Sequence, residues 1–266
     1  GSNKLDSAQR AHTLQQVRRA CQLVRDGHTL LAARYINKPP LPRLTTARLK
    51  QLRACHPRSS TPLPPQPPLP TPPAPVIATA ENVQRLLRQF DDGTAPGPHQ
   101  LTASHLLTAI THPDALDGLV ALVQDIVDGN VYDAAADMLL ATASVATDKG
   151  PSNVRPIAMP EVLYKVATSL HLEVLTKHFP RLFPNIQVAC GMRGGLDVAF
   201  HSVALEAELR GADTDTVILR TDFRNAFNAR QRSRIAAALY AKPCTSSVWT
   251  FFRWAYGRDT HAGVYY

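Results

Sequence analysis

The sequence predicts a helix-rich α+β protein, and three observations lead to this fold class. Apolar residues recur at helical spacing in most segments between residues 9 and 256. Two short β-compatible segments, 141–147 and 154–159, flank a polar turn and together predict a hairpin. The chain has 266 residues, of which 44% are hydrophobic, so it can bury a core. Helices combined with a few strands in one such chain indicate the α+β class.

The N-terminal segment is basic and predicted to be helical. Residues 1–60 carry 12 Lys/Arg and two acidic residues, within a chain whose net charge is +8. Helical spacing covers 9–36, with a break at Gly27, and a third short helix is predicted over 45–55. This charge favours a nucleic-acid partner, although a solvated helix face or a tail for an acidic protein has the same pattern. The arginines expected to contact nucleic acid are Arg18, Arg19, Arg25 and Arg34.

A proline-rich segment separates this extension from the rest of the chain. Ten of the 19 residues from Pro57 to Pro75 are proline. This composition excludes a helix or a central strand and favours an extended polyproline II spacer, at about 3.1 Å per residue. A ligand for an SH3 or WW domain is the alternative interpretation, and it would provide an intermolecular partner. A domain boundary is therefore predicted here.

The remainder of the chain is predicted to be mostly helical, with amphipathic segments separated by turns. A short β-branched run, Val217–Leu219, leads into Asp222 as a predicted strand. Glu161 and Lys165 stand four residues apart on one predicted helix and are interpreted as a surface pair. The predicted helices are 79–92, which Thr79 caps, and 102–111, 114–128, 133–141, 161–178, 230–240 and 246–256.

Cysteine usage and hydropathy bear on the compartment. The four cysteines lie far apart and form no Cys-x-x-Cys pair, so neither a zinc site nor a disulfide framework is expected. A reducing, intracellular compartment fits this pattern. No apolar run approaches the roughly 20 residues that span a bilayer, so no membrane partner is expected.

The segment that follows Val217 carries the most chemical information. Asp222 comes after an apolar run, and an aromatic residue, Phe227, stands five positions later before a predicted helix. A carboxylate at the end of a strand can hold two Mg²⁺ ions about 3.5–4 Å apart for phosphoryl transfer. Free N–H groups at the start of a helix suit a triphosphate. Taken alone, however, an aspartate at such a place is more often a turn or N-cap residue.

The segment Asp-Phe-Arg-Asn-Ala-Phe, which begins at Asp222, resembles motif A of reverse transcriptases, in particular those of non-LTR retrotransposons. Arg253–Gly257 resembles the stretch that leads towards motif B of the same enzymes. Three blocks upstream also resemble this family, in the same order along the chain. They are Gly-Thr-Ala-Pro-Gly-Pro-His-Gln at 93–100, Asn-Val-Arg-Pro-Ile-Ala at 153–158 and Gln-Val-Ala-Cys-Gly-Met-Arg-Gly-Gly at 187–195.

The basic extension resembles the region upstream of the polymerase in R2-like or trypanosomatid splice-leader-specific elements. Two of its segments have the matching pattern, Gly27–Arg34 and Leu52–Pro57. The resemblance as a whole covers roughly residues 10–60 and 80–266.

The resemblance implies the fold of right-hand polymerase fingers with the first part of the palm. It also implies an N-terminal part of an RNA-directed DNA polymerase, a nuclear protein whose partners are an RNA template, target DNA and dNTP. A non-catalytic RNA- or protein-binding module derived from such an enzyme is the alternative, and a purely helical scaffold is a third. The expected domains are a basic helical extension at 1–56, a proline-rich linker at 57–78, fingers at 79–212 and the start of the palm at 213–266.

The resemblance also implies roles for the residues of motif A. Asp222 is expected to be the catalytic carboxylate and, with the carbonyl of Phe223, a Mg²⁺ ligand. Asn225 and Ala226 would offer backbone N–H groups to the triphosphate. Phe227 would lie under the sugar and exclude a 2′-hydroxyl, although a core aromatic is the plain alternative.

Further residues are implied outside motif A. Arg155 would contact the incoming phosphates, because a guanidinium matches phosphate oxygens bidentately. Lys149 on the preceding turn would add a point charge or would simply be a solvated lysine. Residues on the template side would contact the template backbone, with a flexible turn as the alternative for the two glycines. These residues are Gln187, Arg193, Gly194 and Gly195.

The sequence departs from the family pattern at three places. His99 and Gln100 stand where the family has Asp-Gly, which leaves the turn chemistry of that loop but no specific role. The Tyr/Phe-x-Asp-Asp of motif C and the Gln-Gly-Asp-Pro of motif B do not occur in these 266 residues. Since one carboxylate does not hold two metal ions, this chain by itself is not expected to polymerise DNA.

Overall fold

The structure is a computed structural model of the chain. The chain divides into two compact units, Gly1–Arg43 and Leu44–Tyr266. Side chains are described except at 2–12, 31, 34, 148 and 262–264. The described residues are 2–36, 45–57, 61–91, 94–148, 154–183, 187–188, 192–211, 215, 217–219, 221–223, 225–258 and 262–264.

The first unit is a pair of helices, as the sequence predicts. Helix α1 (Ser2–Arg25) ends at a turn in which Gly27 has a φ of +83°, a conformation that glycine adopts without strain. Helix α2 (Thr29–Ile36) then packs against α1, and the small side chains of Ala20 and Ala32 are buried there. The other apolar residues of the predicted stripe on α1 are exposed or only partly buried.

The second unit is helical apart from one small sheet. None of the described helices of either unit combines the length and the apolar character needed to cross a membrane. The helices predicted from the sequence are confirmed, with ends that differ by a few residues. The elements are α3 (Thr46–Ala54), α4 (Ala80–Arg88), α5 (Ala103–Ala109), α6 (Pro113–Asp128), α7 (Asp133–Leu140), β1 (Thr142–Asp148), β2 (Val154–Pro160), α8 (Val162–Thr176), α9 (Phe179–Leu182), α10 (Gly195–Leu209), α11 (Ala226–Ala229), α12 (Arg232–Tyr240), a 3₁₀ helix (Pro243–Val248), α13 (Trp249–Tyr256) and β3 (Ala262–Val264).

The main core lies between α4, α6, α8 and α13. Each helix contributes an apolar face, and the side chains at the centre are inaccessible to solvent. The start of α4 is defined by a capping box, in which the Thr79 hydroxyl accepts from the backbone N–H of Asn82 and the Asn82 side chain accepts from the N–H of Thr79. The most deeply buried core residues are Val83, Leu87, Val123, Ile126, Val166 and Ala167.

The sheet confirms the predicted hairpin and adds a third strand. Strands β1 and β2 are antiparallel, and β3 runs parallel to β1 on its other side. Helix α3 packs on this hairpin, where Leu52 is buried with Ala146 and Val154. Thus α3, which the sequence places in the basic extension, lies in the same compact unit as the hairpin.

The strand predicted at Val217–Leu219 is wrong. These three residues lie outside any helix or strand, and they are 84%, 63% and 83% exposed. In the described part of the chain no strand pairs with them, and an isolated β-branched run has no partner for its backbone hydrogen bonds. Helix α10, by contrast, was not predicted, because its apolar residues do not form a single helical stripe.

His171 is a buried histidine of the main core and is expected to make stability depend on pH. Its Nε2 donates to the carbonyl of Val127 at 3.0 Å, and its ring stacks on Phe251 with centroids 4.2 Å apart. Nδ1 is buried without a partner in the described part of the chain, so a second proton there would be unsolvated. Burial lowers the pKa of His171 below its usual 6.5.

The sign of this pH dependence follows from the lowered pKa. The unfolded chain takes up the proton more readily, so the contribution of neutral His171 is complete above pH 6.5 and is lost as the pH falls towards the folded-state pKa. We expect the free energy of unfolding to drop between pH 7 and 5 more steeply than in His171→Gln, by up to about 1.4 kcal/mol per pH unit. Urea titrations at each pH measure the free energy of unfolding. His201→Gln, at an exposed position, is the control, and equal slopes for all three proteins would contradict the expectation.

Candidate functional site

Strand β2 holds Arg155 in a fixed backbone with an exposed side chain. Arg155 lies opposite Thr147 on β1, and the Thr147 hydroxyl donates to the Arg155 carbonyl at 3.2 Å. The preceding residue, Val154, points into the small core beneath α3. Alternation along the strand therefore turns the Arg155 guanidinium towards solvent, where it can meet an anionic ligand.

Three side chains of the segment that resembles motif A are open to solvent. Asp222 is exposed, and its carboxylate makes no hydrogen bond or ion pair with another described residue. Phe223 is 69% exposed and Phe227 is 95% exposed, so Phe227 is not a core aromatic in this structure. Ala226 is half-buried at the start of α11. The segment thus presents one carboxylate and two aromatic rings on its surface.

Asn225 anchors this segment to the rest of the unit. Its backbone is left-handed, with φ 53° and ψ 38°, a conformation that asparagine tolerates better than most residues. Its Nδ2 donates to the carbonyl of Cys55 at 2.8 Å, and its Oδ1 accepts from Nδ2 of Asn228 at 3.2 Å. Both ends of the Asn225 amide are therefore engaged in fixing the turn that follows Asp222.

Cys55 connects the motif A segment with β2. While its carbonyl accepts from Asn225, its Sγ lies 4.0 Å from the carbonyl oxygen of Val154, the neighbour of Arg155. The end of α3 therefore brings β2 and the turn after Asp222 to the same place. Sequence reasoning missed this role for Cys55, since a lone cysteine between an alanine and a histidine carries no local signal.

The residues around the contacts of Cys55 with Val154 and Asn225 are basic. Lys50 and Arg53 are exposed on α3, the helix that packs on β2. Burial lowers the pKa of His56, which keeps that ring neutral at pH 7. The positive charge beside Arg155 thus comes from lysine and arginine side chains, which phosphate groups attract.

Glycines shape the start of α10, in the segment predicted to contact a template. Gly194 has φ 68° and caps the helix, and Arg193 beside it is exposed. Gly195 is buried, and a β-carbon there would fall 1.5 Å from the carbonyl oxygen of Val188. Glycine is thus required at 195 because the backbone of Val188 leaves no room for a β-carbon. Gln187 is half-buried, and contact of these residues with a template stays a prediction.

The loop that precedes α5 is held by a buried carboxylate. Glu161 is 4% exposed and accepts from the backbone N–H of His99 at 2.8 Å, and its Oε1 lies 2.9 Å from Nδ1 of the same residue. Lys165 donates to the carbonyl of Ala95 at 3.1 Å, and burial lowers the pKa of its ammonium. The predicted surface pair of Glu161 and Lys165 is therefore wrong, because Glu161 lies beneath the loop and is paired with His99.

The departure from the family pattern at Gln100 keeps the backbone of the turn. Gln100 has φ +60°, the left-handed conformation that glycine adopts most easily, and its N–H donates to the carbonyl of Gly97 at 3.1 Å. A glutamine thus adopts a backbone conformation that is typical of glycine, the residue of the family pattern at this position. No chemical role follows from it.

The remaining predicted residues belong to the first compact unit or fall outside the described residues. Arg18, Arg19 and Arg25 are exposed on α1, in the first compact unit. Lys149 and the side chain of Arg34 lie outside the described residues. Among the described residues no group of three or more His, Cys, Asp or Glu side chains could hold a metal ion.

The chain is similar to a curated retrotransposon protein. No protein-family model matches the chain. It is 26% identical over 191 residues to the retrotransposable element SLACS 132 kDa protein of Trypanosoma brucei gambiense. The similarity indicates a retrotransposon-related origin. The aligned region covers 71% of this chain but only 16% of that protein, so the chain spans a small part of its relative's length.

Proposed function

We propose that this chain provides the template- and nucleotide-binding part of a retrotransposon RNA-directed DNA polymerase. The observation that carries the proposal is the meeting of β2 with the turn after Asp222 at Cys55. It brings a strand that exposes an arginine next to a segment that exposes a carboxylate. Phosphoryl transfer requires this pairing of a phosphate-binding cation and a metal-binding carboxylate.

In this proposal each residue contributes a separate interaction with the nucleotide. The Arg155 guanidinium binds the phosphates, and Lys149 adds a second cation. The backbone N–H groups of Asn225 and Ala226 face the triphosphate, and Phe227 packs under the sugar. Gln187, Arg193, Gly194 and Gly195 guide the template strand, and exposed arginines of α1 add affinity for nucleic acid.

Magnesium fits the proposal as a shared ligand of protein and substrate. Mg²⁺ is commonly held by one or two carboxylates together with substrate phosphates, and Asp222 is exposed and uncommitted within the described part of the chain. The Phe223 carbonyl would be a second oxygen ligand. When bound, the ion would neutralise charge on the phosphates, and the other carboxylate that polymerisation needs would have to come from residues outside this chain.

Arg155 supplies the direct test of this proposal. Arg155→Ala should weaken the binding of a fluorescent dNTP, in the presence of Mg²⁺ and a primed RNA template, by about tenfold or more, because a charged hydrogen bond contributes about 1.5–3 kcal/mol. Fluorescence anisotropy measures the affinity. Arg234→Ala, at an exposed position on α12, is the matched control. Equal affinities for Arg155→Ala and the unsubstituted chain would contradict the proposal.

A non-catalytic RNA-binding module is the second candidate, because the first unit exposes Arg18, Arg19 and Arg25 and has only two acidic residues in its sequence. Such a module would bind RNA with a steep dependence on salt but would not respond to dNTP. The anisotropy titration therefore separates the two functions, since only the polymerase part is sensitive to substitution of Arg155.

A further inference from the structure

The proline-rich segment lies on the protein rather than free of it. Residues 61–75 form neither helix nor strand. Leu63 and Leu69 are nevertheless half-buried and pack against a second apolar cluster, which is formed by α12, the 3₁₀ helix and α13. The segment therefore contacts this surface at two points, while Gln66 midway between them is exposed.

The spacing of the two leucines fits an extended proline-rich chain. A polyproline II helix has three residues per turn and rises about 3.1 Å per residue, so residues six apart lie on one face about 19 Å apart. Leu63 and Leu69 have this separation in sequence. Prolines fill most of the positions between them, which keeps the segment extended before it docks and lowers the entropy cost of docking.

The surface that receives the segment is aromatic. Tyr240 and Trp249 have ring centroids 5.0 Å apart, and Phe252 stacks on Tyr256 with centroids 4.7 Å apart. Trp249 is buried and held by a hydrogen bond from its Nε1 to the Thr245 hydroxyl at 2.9 Å. Aromatic-lined surfaces of this kind are what SH3 and WW domains present to proline-rich ligands.

A backbone contact fixes the segment on that surface. Nη1 of Arg253, on α13, donates to the carbonyl of Pro64 at 3.0 Å. Polyproline II has no internal hydrogen bonds, so its carbonyls need outside donors. Next to this contact, a β-carbon at Gly257 would lie 3.5 Å from Cδ1 of Leu63, which places that leucine directly against the end of α13.

We propose that the surface of α12, the 3₁₀ helix and α13 is a binding site for leucine-containing proline-rich segments, and that residues 61–70 of the same chain occupy it. The segment is then a ligand bound within its own molecule, which withholds it from SH3 or WW domains. The inference rests on the contacts of Leu63, Leu69 and Arg253 and is independent of the proposed polymerase function.

The test uses the 266-residue chain and a fluorescein-labelled peptide of residues 61–75. In the unsubstituted chain the tethered segment competes at a high effective concentration, so the free peptide should bind weakly. In the chain with both Leu63→Ser and Leu69→Ser the site is vacated, and the peptide should bind at least about tenfold tighter. A peptide with the same two substitutions should lose this binding, and the Gln66→Ser chain should behave like the unsubstituted one.

Two results would overturn the proposal. One is equal affinity of the peptide for the unsubstituted and the doubly substituted chains when circular dichroism shows both to be folded. The other comes from a photo-crosslinking residue at position 69 of the otherwise unsubstituted chain, a measurement that does not depend on the double variant. It should crosslink to peptides from 232–256, and crosslinking elsewhere would show that the segment does not occupy this surface.

Discussion

On the proposed function, replacing Asp222 by asparagine in a polymerase that contains this chain is expected to lower primer extension on an RNA template by about a thousandfold or more. Asparagine keeps the size of the side chain but removes the charge that a divalent ion needs. A metal-bound phosphate is stabilised by several kcal/mol in the transition state, and each 1.36 kcal/mol lost is about a tenfold loss in rate. Single-turnover incorporation of one dNTP in Mg²⁺ measures the effect.

Because Asp222 is exposed, its substitution should remove the charge without disturbing the fold. Its carboxylate has no structural partner in the described part of the chain, so Asp222→Asn should not change the melting temperature. Asp137→Asn, at an exposed position on α7, is the control and should polymerise normally. Unimpaired incorporation by Asp222→Asn would show that this carboxylate does not hold the catalytic metal ion.

Most helices of the second unit could be predicted because their signals are local. Thr79 and Asn82 form a capping box whose residue types are visible in the sequence, and Pro113 stands at the first turn of α6. The hairpin was equally accessible, since two β-compatible runs flank a polar turn. In each case neighbouring residues determine the structure, so no distant contact had to be known.

The arrangement of the site could not be predicted, because it depends on contacts between distant segments. Asn225 and Cys55 are 170 positions apart in the sequence. Their hydrogen bond joins the Asn225 side chain to a backbone carbonyl, and an asparagine amide can bind any carbonyl, so the sequence does not identify this partner. Glu161 was misjudged for the same reason. A glutamate and a lysine four residues apart usually lie on a helix surface. Here the loop that carries His99 covers Glu161, and the sequence does not show this contact.

The errors around α10 and 217–219 arise because the local pattern did not match the packing. The apolar residues of α10 form no single stripe, and Leu196, Phe200 and Leu209 are each about 70% exposed. Val217–Leu219 is exposed as well, and no described strand pairs with it. A β-compatible run forms a strand only where a neighbouring strand pairs with its backbone N–H and C=O groups.

Gly97→Ala is expected to destabilise the second unit by about 1–3 kcal/mol, the usual cost of forcing extra atoms into a packed site. A β-carbon at Gly97 would lie 2.6 Å from both Cδ and Oε1 of Glu161 and 2.9 Å from its Cα. The carboxyl cannot swing away without losing its hydrogen bond from the N–H of His99. Thermal unfolding should show the loss as a fall in melting temperature of roughly 2–4 °C per kcal/mol.

Gly118→Ala supplies the matched control because the same substitution should have the opposite sign there. Gly118 lies within α6, and a β-carbon at that position would meet nothing within 4 Å. Alanine in a helix interior is favoured over glycine by roughly 0.5–1 kcal/mol, so Gly118→Ala should raise the melting temperature. Since both variants add one methyl group, a difference in sign can only come from the surroundings. Equal shifts for the two variants would mean that the loop of His99 does not rest on Glu161, and the buried carboxylate would then need another partner.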